Sequence, residues 1–297
     1  MNNLRISLFG SVRVENDLNP ANNAKLTNTI STLLAYLILY RQRAHPRDVL
    51  ASLLWSDYPQ ERARGCLNTA LWRLRQVLEP SGVPPGTFLL STAMGELSFN
   101  CQANVWIDVV EFERIIKMAI AIPYEAALTE KIHELETTIN LYKGDLLDGC
   151  YCDWALRERE RLYQYYLDGL FYLLGYYHSK NQYEKAIGWG QTILMYDPLR
   201  EDVHRQLMRL YVENGQRTLA VKQFHRCRDV LNLELGITPM SETQGLFEQI
   251  TAQRRETLPV GQPGATEVRV AIERLQNAIE TVNRAQHDLQ SALERYE

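Results

Sequence analysis

The segment 61–79 carries side chains of the types that contact DNA bases and phosphates. They are Arg62, Arg64, Asn68, Thr69, Trp72, Arg73 and Arg75. Arginine can donate two hydrogen bonds to guanine, asparagine can pair with adenine in a similar way, and guanidinium groups bind phosphate oxygens. An arginine-rich face is also typical of an ordinary solvated helix, so residue types alone do not decide between the two interpretations.

The spacing of leucines predicts that this segment is one amphipathic helix. Leu67, Leu71, Leu74 and Leu78 recur at i, i+4, i+7 and i+11, which places them on a single apolar stripe. The seven candidate DNA-binding residues then fall on the remaining, exposed arc. We therefore expect a helix that faces a core on one side and presents guanidinium, amide and hydroxyl groups on the other.

The neighbouring segments favour the DNA-binding interpretation. Residues 46–55 (PRDVLASLLW) begin with proline and read as a short helix, and the turn 56–59 leads into the arginine-rich helix. Residues 80–86 are rich in proline and glycine, and two short extended runs follow at 88–90 and 97–99. The predicted order is helix, turn, helix, β-hairpin.

With these motifs, residues 1–103 resemble the winged helix-turn-helix domain of the OmpR type. The resemblance is carried by LRISLFGSVRV at 4–14, TLLAYLILYR at 32–41 and ARGCLNTALWRLRQVL at 63–78. It predicts a strand pair at 4–9 and 12–15 before a first helix at 28–41. The hairpin at 88–99 would be the wing.

Residues 104–252 resemble the bacterial transcriptional activator domain that follows such a winged helix in the Streptomyces antibiotic regulatory proteins. The matching motifs are VWIDVVEFERII at 105–116, GDLLDG at 144–149, DWALRERERL at 153–162, DPLREDVHRQLMRLY at 197–211 and LELGITP at 233–239. They occur in the family's order and, with the first domain, cover most of the chain.

The resemblance implies a transcription activator that binds repeated promoter sites in double-stranded DNA and recruits RNA polymerase, as a homodimer or higher oligomer. Arg64, Asn68, Thr69 and Arg73 would contact base edges, and Arg62 and Arg75 would hold phosphates.

The chain departs from the family pattern at Thr29 and Ser31, where relatives carry basic residues, and at Gly95-Glu96, where they carry Gly-Tyr. Because no lysine or arginine lies between Arg75 and Arg114, the wing is expected to have no cation. A protein-interaction adaptor with a degenerate winged helix is the alternative.

The second half of the chain predicts a mainly α fold with a small β component. Helices are expected at 105–121, 126–143 and 154–178. Residues 183–187 and 217–221 then repeat one 34-residue period apart, each after a turn that contains Asn181 or Gly215. This is the spacing of a tetratricopeptide-like helical repeat, in which Ala186 and Ala220 would let paired helices approach closely.

The carboxyl-terminal residues predict a linker at 253–266 and an amphipathic heptad helix at 267–297. Mainly apolar residues recur every seven positions in two offset series, from Val268 to Tyr296 and, with Gln286 as the polar member, from Ile272 to Leu293. This coiled-coil-like helix could self-associate, fold back over the repeat domain or bind another protein. Self-association is the preferred interpretation because Asn283 and Gln286 in or beside the seam could set its register.

Composition and charge favour a cytoplasmic DNA-binding protein. Residues 1–103 hold ten lysines and arginines against seven acidic residues, whereas the remainder is acidic, and the whole chain has a net charge of −4. We expect no membrane segment, no catalytic activity and no cofactor or metal, because no signal peptide, apolar span or common catalytic motif is apparent. The five scattered cysteines are expected to be free thiols, although Cys150-Tyr151-Cys152 leaves a redox switch open.

Overall fold

The structure is a computed structural model that describes residues 4–16 and 26–256, with side chains at 4–15 and 26–252. It is mainly helical, with a small β component, as expected. Residues Met1–Pro239 form one compact unit, and a second begins at Met240. Within the described residues, no helix is long and apolar enough to cross a membrane.

A three-stranded sheet opens the fold. β1 (Leu4–Ser7) pairs antiparallel with β2 (Arg13–Asn16) and parallel with β5 (Val105–Ile107). The prediction that residues 105–107 begin a helix was wrong. Val105, Trp106 and Ile107 are β-branched or aromatic residues, which suit a strand, and their partner β1 lies about a hundred residues earlier, beyond the reach of local periodicity.

Three helices and a hairpin follow the first two strands. The helices are α1 (Asn28–Leu39), α2 (Arg47–Leu54) and α3 (Gln60–Leu78), and the hairpin pairs β3 (Leu89–Ser91) with β4 (Leu97–Phe99). His45 adds a further bridge to Leu97 on the other edge of β4, through two backbone hydrogen bonds. The helices pack against one another, and α1 packs against β4. The predicted order of helix, turn, helix and hairpin is confirmed.

The helical region begins with α4 (Asp108–Ile120), α5 (Thr129–Ile139) and the long α6 (Asp153–Ser179). α5 is shorter than the predicted 126–143 at both ends. A single 3-10 turn (Tyr124–Ala126) follows Pro123 before it, and Gly144, with φ +158°, lies in the irregular chain after it. α6 packs on α4, α5 and the next helix, so it is the central helix of this region.

The 34-residue period is the distance between the starts of two helices that occupy equivalent positions in the repeat. α7 (Tyr183–Tyr196) and α9 (Arg217–Leu235) begin at equivalent repeat positions, and α8 (Glu201–Glu213) lies between them in sequence and packs on both. Ala186 and Ala220 are fully buried. The turns contain Asn181 and Gly215 with φ of +55° and +72°, a conformation that glycine and asparagine tolerate best. The tetratricopeptide-like repeat is therefore confirmed.

The second unit contributes one described helix, α10 (Ser241–Glu256). It includes the first four residues of the segment that the sequence predicted to be a linker, so residues 253–256 are helical instead. The rest of that linker and the heptad helix at 267–297 lie outside the described residues.

Candidate nucleic-acid interface

Helix α3 forms where the sequence predicts it, with the leucine stripe facing the core. Leu67, Leu71, Leu74 and Leu78 are at most 5% exposed. Of the candidate site residues, six are exposed and Arg75 is half-buried. The helical period separates six of them into two edges: a wing-side edge of Arg64, Asn68 and Arg75, and an open edge of Arg62, Thr69 and Arg73. Trp72 lies between the two edges.

The wing-side edge begins with an ion pair between Arg64 and Asp48 of α2. Nε of Arg64 donates to Oδ1 of Asp48 at 2.6 Å, and Nη2 donates to Oδ2 at 2.7 Å. This contact lowers the pKa of Asp48 and raises the pKa of Arg64. Both side chains are about half exposed, and surface pairs of this kind contribute little to stability because water and salt screen them. A phosphate could therefore replace Asp48 as the partner of Arg64 at small cost.

Arg47, the first residue of α2, connects α3 to the tip of the hairpin. Its Nε donates to the carbonyl oxygen of Gly95 at 2.9 Å, and its Nη1 donates to Oδ1 of Asn68 at 2.8 Å. The hairpin itself holds no lysine or arginine, as predicted, but α2 supplies a guanidinium group to its tip. Asn68 is exposed, and its amide NH2 makes no hydrogen bond to a described residue, so this group remains available as a donor.

The hairpin is fixed to the end of α3 at two places. Arg75 donates from Nη2 to Oγ of Ser91 in β3 at 3.2 Å. The carboxylate of Glu79 accepts hydrogen bonds from the backbone N–H groups of Gly86, Phe88 and Leu89 at 2.8–3.0 Å. These contacts set the position of the hairpin relative to the helix, so Arg75 has a structural partner as well as its predicted role at phosphate.

The open edge has few competing contacts. Within the described part of the chain, Arg73 makes no hydrogen bond or ion pair, and the Arg62 guanidinium lies 4.5 Å from the centre of the Tyr58 ring. Arg62, Thr69 and Arg73 line a shallow hollow of about 600 Å³ together with Thr27 and Thr29 near the start of α1. The Thr69 hydroxyl donates to the carbonyl of Gly65, so its remaining lone pairs can accept from the amino group of a base.

Trp72 is 62% exposed, which is unusual for so large an aromatic side chain. It lies on the same helix face as the guanidinium groups, where its ring could pack against a sugar or a base methyl group. Apolar contact of this kind also contributes to recognition of thymine.

Sequence reasoning did not identify Arg47 and Asp48 as part of this surface. Both belong to the first turn of α2, and their partners are 16 to 48 residues away along the chain. The sequence does show a positive and a negative residue directly after Pro46. Which surface Arg47 and Asp48 face, however, depends on how α2 packs against α3.

Three sets of contacts join the amino-terminal region that carries this surface to the helical region. The buried carboxylate of Asp108, at the start of α4, accepts hydrogen bonds from the backbone N–H groups of Leu8, Phe9 and Val109 at 2.7–3.1 Å. Backbone hydrogen bonds connect residues 8–10 with residues 145–148 of the GDLLDG loop. The Trp154 ring of α6 lies 5.2 Å from Tyr36 and 6.3 Å from Tyr40 of α1, measured between centroids.

Residues 107–251 match the family described as bacterial transcriptional activator domain. The Mycobacterium tuberculosis transcriptional regulatory protein MoaR1 is 25% identical over 238 residues, which cover 74% of this chain and 71% of that protein. The Streptomyces coelicolor regulatory protein AfsR is also 25% identical, over 73% of this chain but 21% of its own length.

A solved structure of Mycobacterium tuberculosis EmbR, in complex with a low affinity phosphopeptide, has a similar fold. The TM-score is 0.64 at 19% identity, and the match covers 93% of this chain and 72% of that one. This similarity shows the fold. The bacterial transcriptional activator domain at residues 107–251 and the similarity to MoaR1 and AfsR, which are named as regulators, support a transcription regulator that resembles the Streptomyces antibiotic regulatory proteins.

Proposed function

We propose that this DNA-binding transcriptional activator recognises a specific duplex sequence through α3, with helices α1–α3 and the β3–β4 hairpin acting as a winged helix-turn-helix. The arrangement supports the proposal because α3 exposes a polar face about five turns long beside a hairpin held by Arg47 and Arg75. An α-helix fits the major groove, and a neighbouring hairpin can approach the adjacent backbone.

The open edge of α3 is the observation that carries this proposal. Arg73 has no partner within the described residues, Thr69 has lone pairs available, and Trp72 is exposed between the two edges. An unpaired guanidinium group is available to bridge O6 and N7 of guanine. Arg62 would hold a phosphate next to that base.

The wing-side edge has a different role in the proposal. Arg64 begins in an ion pair with Asp48 and would move to a phosphate or base when DNA displaces that carboxylate. Asn68, whose Oδ1 already accepts from Arg47, would contribute its amide NH2 to a base acceptor. Arg75 would keep its contact with Ser91 and approach phosphate with its outer nitrogen.

Recruitment of RNA polymerase and binding to repeated sites complete the proposal. The amino-terminal 103 residues have a net charge of only +3, and several of their arginines, among them Arg47, Arg64 and Arg75, are engaged within the protein. Few phosphate contacts per copy give each copy a low affinity for DNA at physiological salt, so binding of several copies at repeated sites, as a dimer or higher oligomer, would add the necessary affinity. The stacked helices α6–α9 would provide the surface for the polymerase.

Selection from a random duplex library tests the proposal. Full-length protein is expected to enrich one motif, repeated with a regular spacing, and to bind the enriched DNA with a slope of log affinity against log salt of about −0.9 per phosphate contacted. Enrichment of no motif, with retention of protein partners only, would instead support the adaptor with a degenerate winged helix.

Replacing Asp48 with asparagine is expected to strengthen DNA binding. The substitution removes a negative charge from the surface and releases Arg64 from its ion pair. We expect about fivefold tighter binding with nearly the same salt slope as the wild type, because Arg64 makes the same DNA contact in both complexes and the variant no longer has to break the ion pair first. Fluorescence anisotropy on the selected DNA over a salt series measures both quantities.

Asp57→Asn is the matched control, because Asp57 is an exposed carboxylate in the turn just before α3 and has no contact with Arg64. Equal gains in the two variants would reflect net charge alone. Weaker binding by Asp48→Asn would contradict the proposed displacement and would mean that Asp48 holds Arg64 in its DNA-contacting position.

A further inference from the structure

Two cysteines lie side by side in the loop between α5 and α6. Earlier residues of the same loop are hydrogen-bonded to residues 8–10 after β1. Sγ of Cys150 and Sγ of Cys152 are 3.5 Å apart, and both residues are half-buried. Tyr151 between them is 77% exposed. In an extended backbone, residues i and i+2 share a face, so the two thiols point the same way while the tyrosine points outward.

The loop holds the two thiols in place. Arg159 of α6 donates hydrogen bonds to the carbonyl oxygens of Leu146, Leu147 and Cys150 at 3.0–3.2 Å. Cys152 is the residue that immediately precedes α6, so the helix fixes one end of the pair. A disulfide bond needs a separation of about 2.05 Å between the sulfurs. The two atoms therefore have to approach by about 1.5 Å, which is a small movement for side chains.

The remaining chemistry around the pair favours a disulfide over a metal site. No group of three or more His, Cys, Asp or Glu side chains suited to a metal ion occurs among the described residues. Structural zinc sites use four ligands, which two thiols do not supply. We propose that Cys150 and Cys152 are a modification site at which hydrogen peroxide forms a reversible intraloop disulfide.

The reaction proceeds in two balanced steps. The Cys150 thiolate attacks one peroxide oxygen, the O–O bond breaks, and the sulfur becomes a sulfenic acid while hydroxide takes up a proton and leaves as water. Sγ of Cys152 then attacks Sγ of Cys150, the S–O bond breaks, and the proton from Cys152 leaves with the oxygen as a second water. Two thiols are oxidised to one disulfide, and one peroxide is reduced to two waters.

The order of the two cysteines follows from their surroundings. Burial, together with the neighbouring Cys150, raises the pKa of Cys152 to about 11, so this thiol stays protonated at neutral pH. The thiolate is the nucleophile in such reactions, so the first attack falls to Cys150 and Cys152 resolves the intermediate.

The position of the pair gives the disulfide a consequence for the amino-terminal region. Cys150 Sγ lies 3.9 Å from Oγ1 of Thr32 in α1, and the preceding loop residues are hydrogen-bonded to the backbone of Leu8 and Gly10. Closing the disulfide moves Cys150 relative to Thr32, Leu8 and Gly10. These residues belong to the same set of contacts that joins the amino-terminal region, with its candidate DNA-binding surface, to the helical region.

Thiol counting by mass spectrometry tests the inference on the full-length chain, independently of DNA. Native protein is treated with limiting hydrogen peroxide, the peroxide is removed, and thiols are alkylated with N-ethylmaleimide in denaturant. The reduced protein should carry five labels and the oxidised protein three, with the missing two assigned to Cys150 and Cys152 by peptide mapping. Dithiothreitol before alkylation should restore all five.

Two variants separate this inference from general oxidation. Cys152→Ser should stop at the sulfenic acid of Cys150, which dimedone traps, whereas the matched control Cys101→Ser removes an exposed thiol and should still form the disulfide. Five labels after oxidation of the wild type would overturn the inference. Oxidation of Cys66 or Cys101 at the same rate, without a Cys150–Cys152 link, would overturn it as well.

Discussion

Replacing Arg73 with alanine should weaken binding to the selected DNA about 5- to 150-fold, because one bidentate contact to guanine is worth about 1–3 kcal/mol. Arg73 is the arginine of α3 that needs no rearrangement before it meets DNA, since it has no hydrogen bond or ion pair to any described residue. Anisotropy titrations at fixed salt with the selected duplex, and with that duplex carrying a changed guanine, measure the loss. Arg209→Ala is the matched control, because Arg209 is an exposed arginine on α8.

Arg73→Lys distinguishes base recognition from phosphate binding. Lysine keeps the positive charge but cannot present the planar pair of donors that bridges guanine. If Arg73 contacts a base, the lysine variant should lose discrimination between the two duplexes while keeping the salt slope of the wild type. Restoration of both affinity and discrimination by lysine would contradict a base contact, and equal binding by the wild type and Arg73→Ala would contradict any role for this residue.

The sequence predicted those parts of the fold that have a local period. The leucine stripe of α3 and the 34-residue repeat depend on residues within one or two helices, and both are present in the structure. Small details of the repeat were also predictable: Asn181 and Gly215 tolerate the positive φ that each turn requires, and a small residue is needed where Ala186 and Ala220 are buried.

The parts that the sequence did not predict depend on contacts between distant segments. Residues 105–107 were assigned to a helix because the apolar pattern continues into α4, yet they pair with β1. Arg47 was likewise overlooked, since its two partners are in α3 and in the hairpin turn. In both cases the residue types were compatible with the outcome, but only the packing of segments far apart in sequence selects it.

The candidate site shows the same limit at the level of single side chains. The sequence placed seven residues on the exposed arc, and the structure keeps all of them at least partly accessible. It does not, however, leave them equivalent, because Arg64, Asn68 and Arg75 have partners in α2 and the hairpin whereas Arg73 has none within the described residues. These contacts decide which side chains of α3 already have a partner within the protein and which are available to DNA. Helical spacing alone could not give that distinction.

Asp108→Ala should destabilise the unit formed by residues 1–239 by about 3 kcal/mol or more, because it leaves three buried N–H groups, those of Leu8, Phe9 and Val109, without their acceptor. Asp108→Asn keeps one acceptor oxygen and should cost less. Urea unfolding measures the loss of unfolding free energy, and hydrogen exchange should rise first in β1 and the residues that directly follow it.

The control is Asp153→Ala, which removes an exposed carboxylate in the first turn of α6 and should cost about 1 kcal/mol at most. Equal midpoints for Asp108→Ala and this control would mean that water or backbone movement satisfies the three donors, and that Asp108 does not hold the amino-terminal sheet to α4.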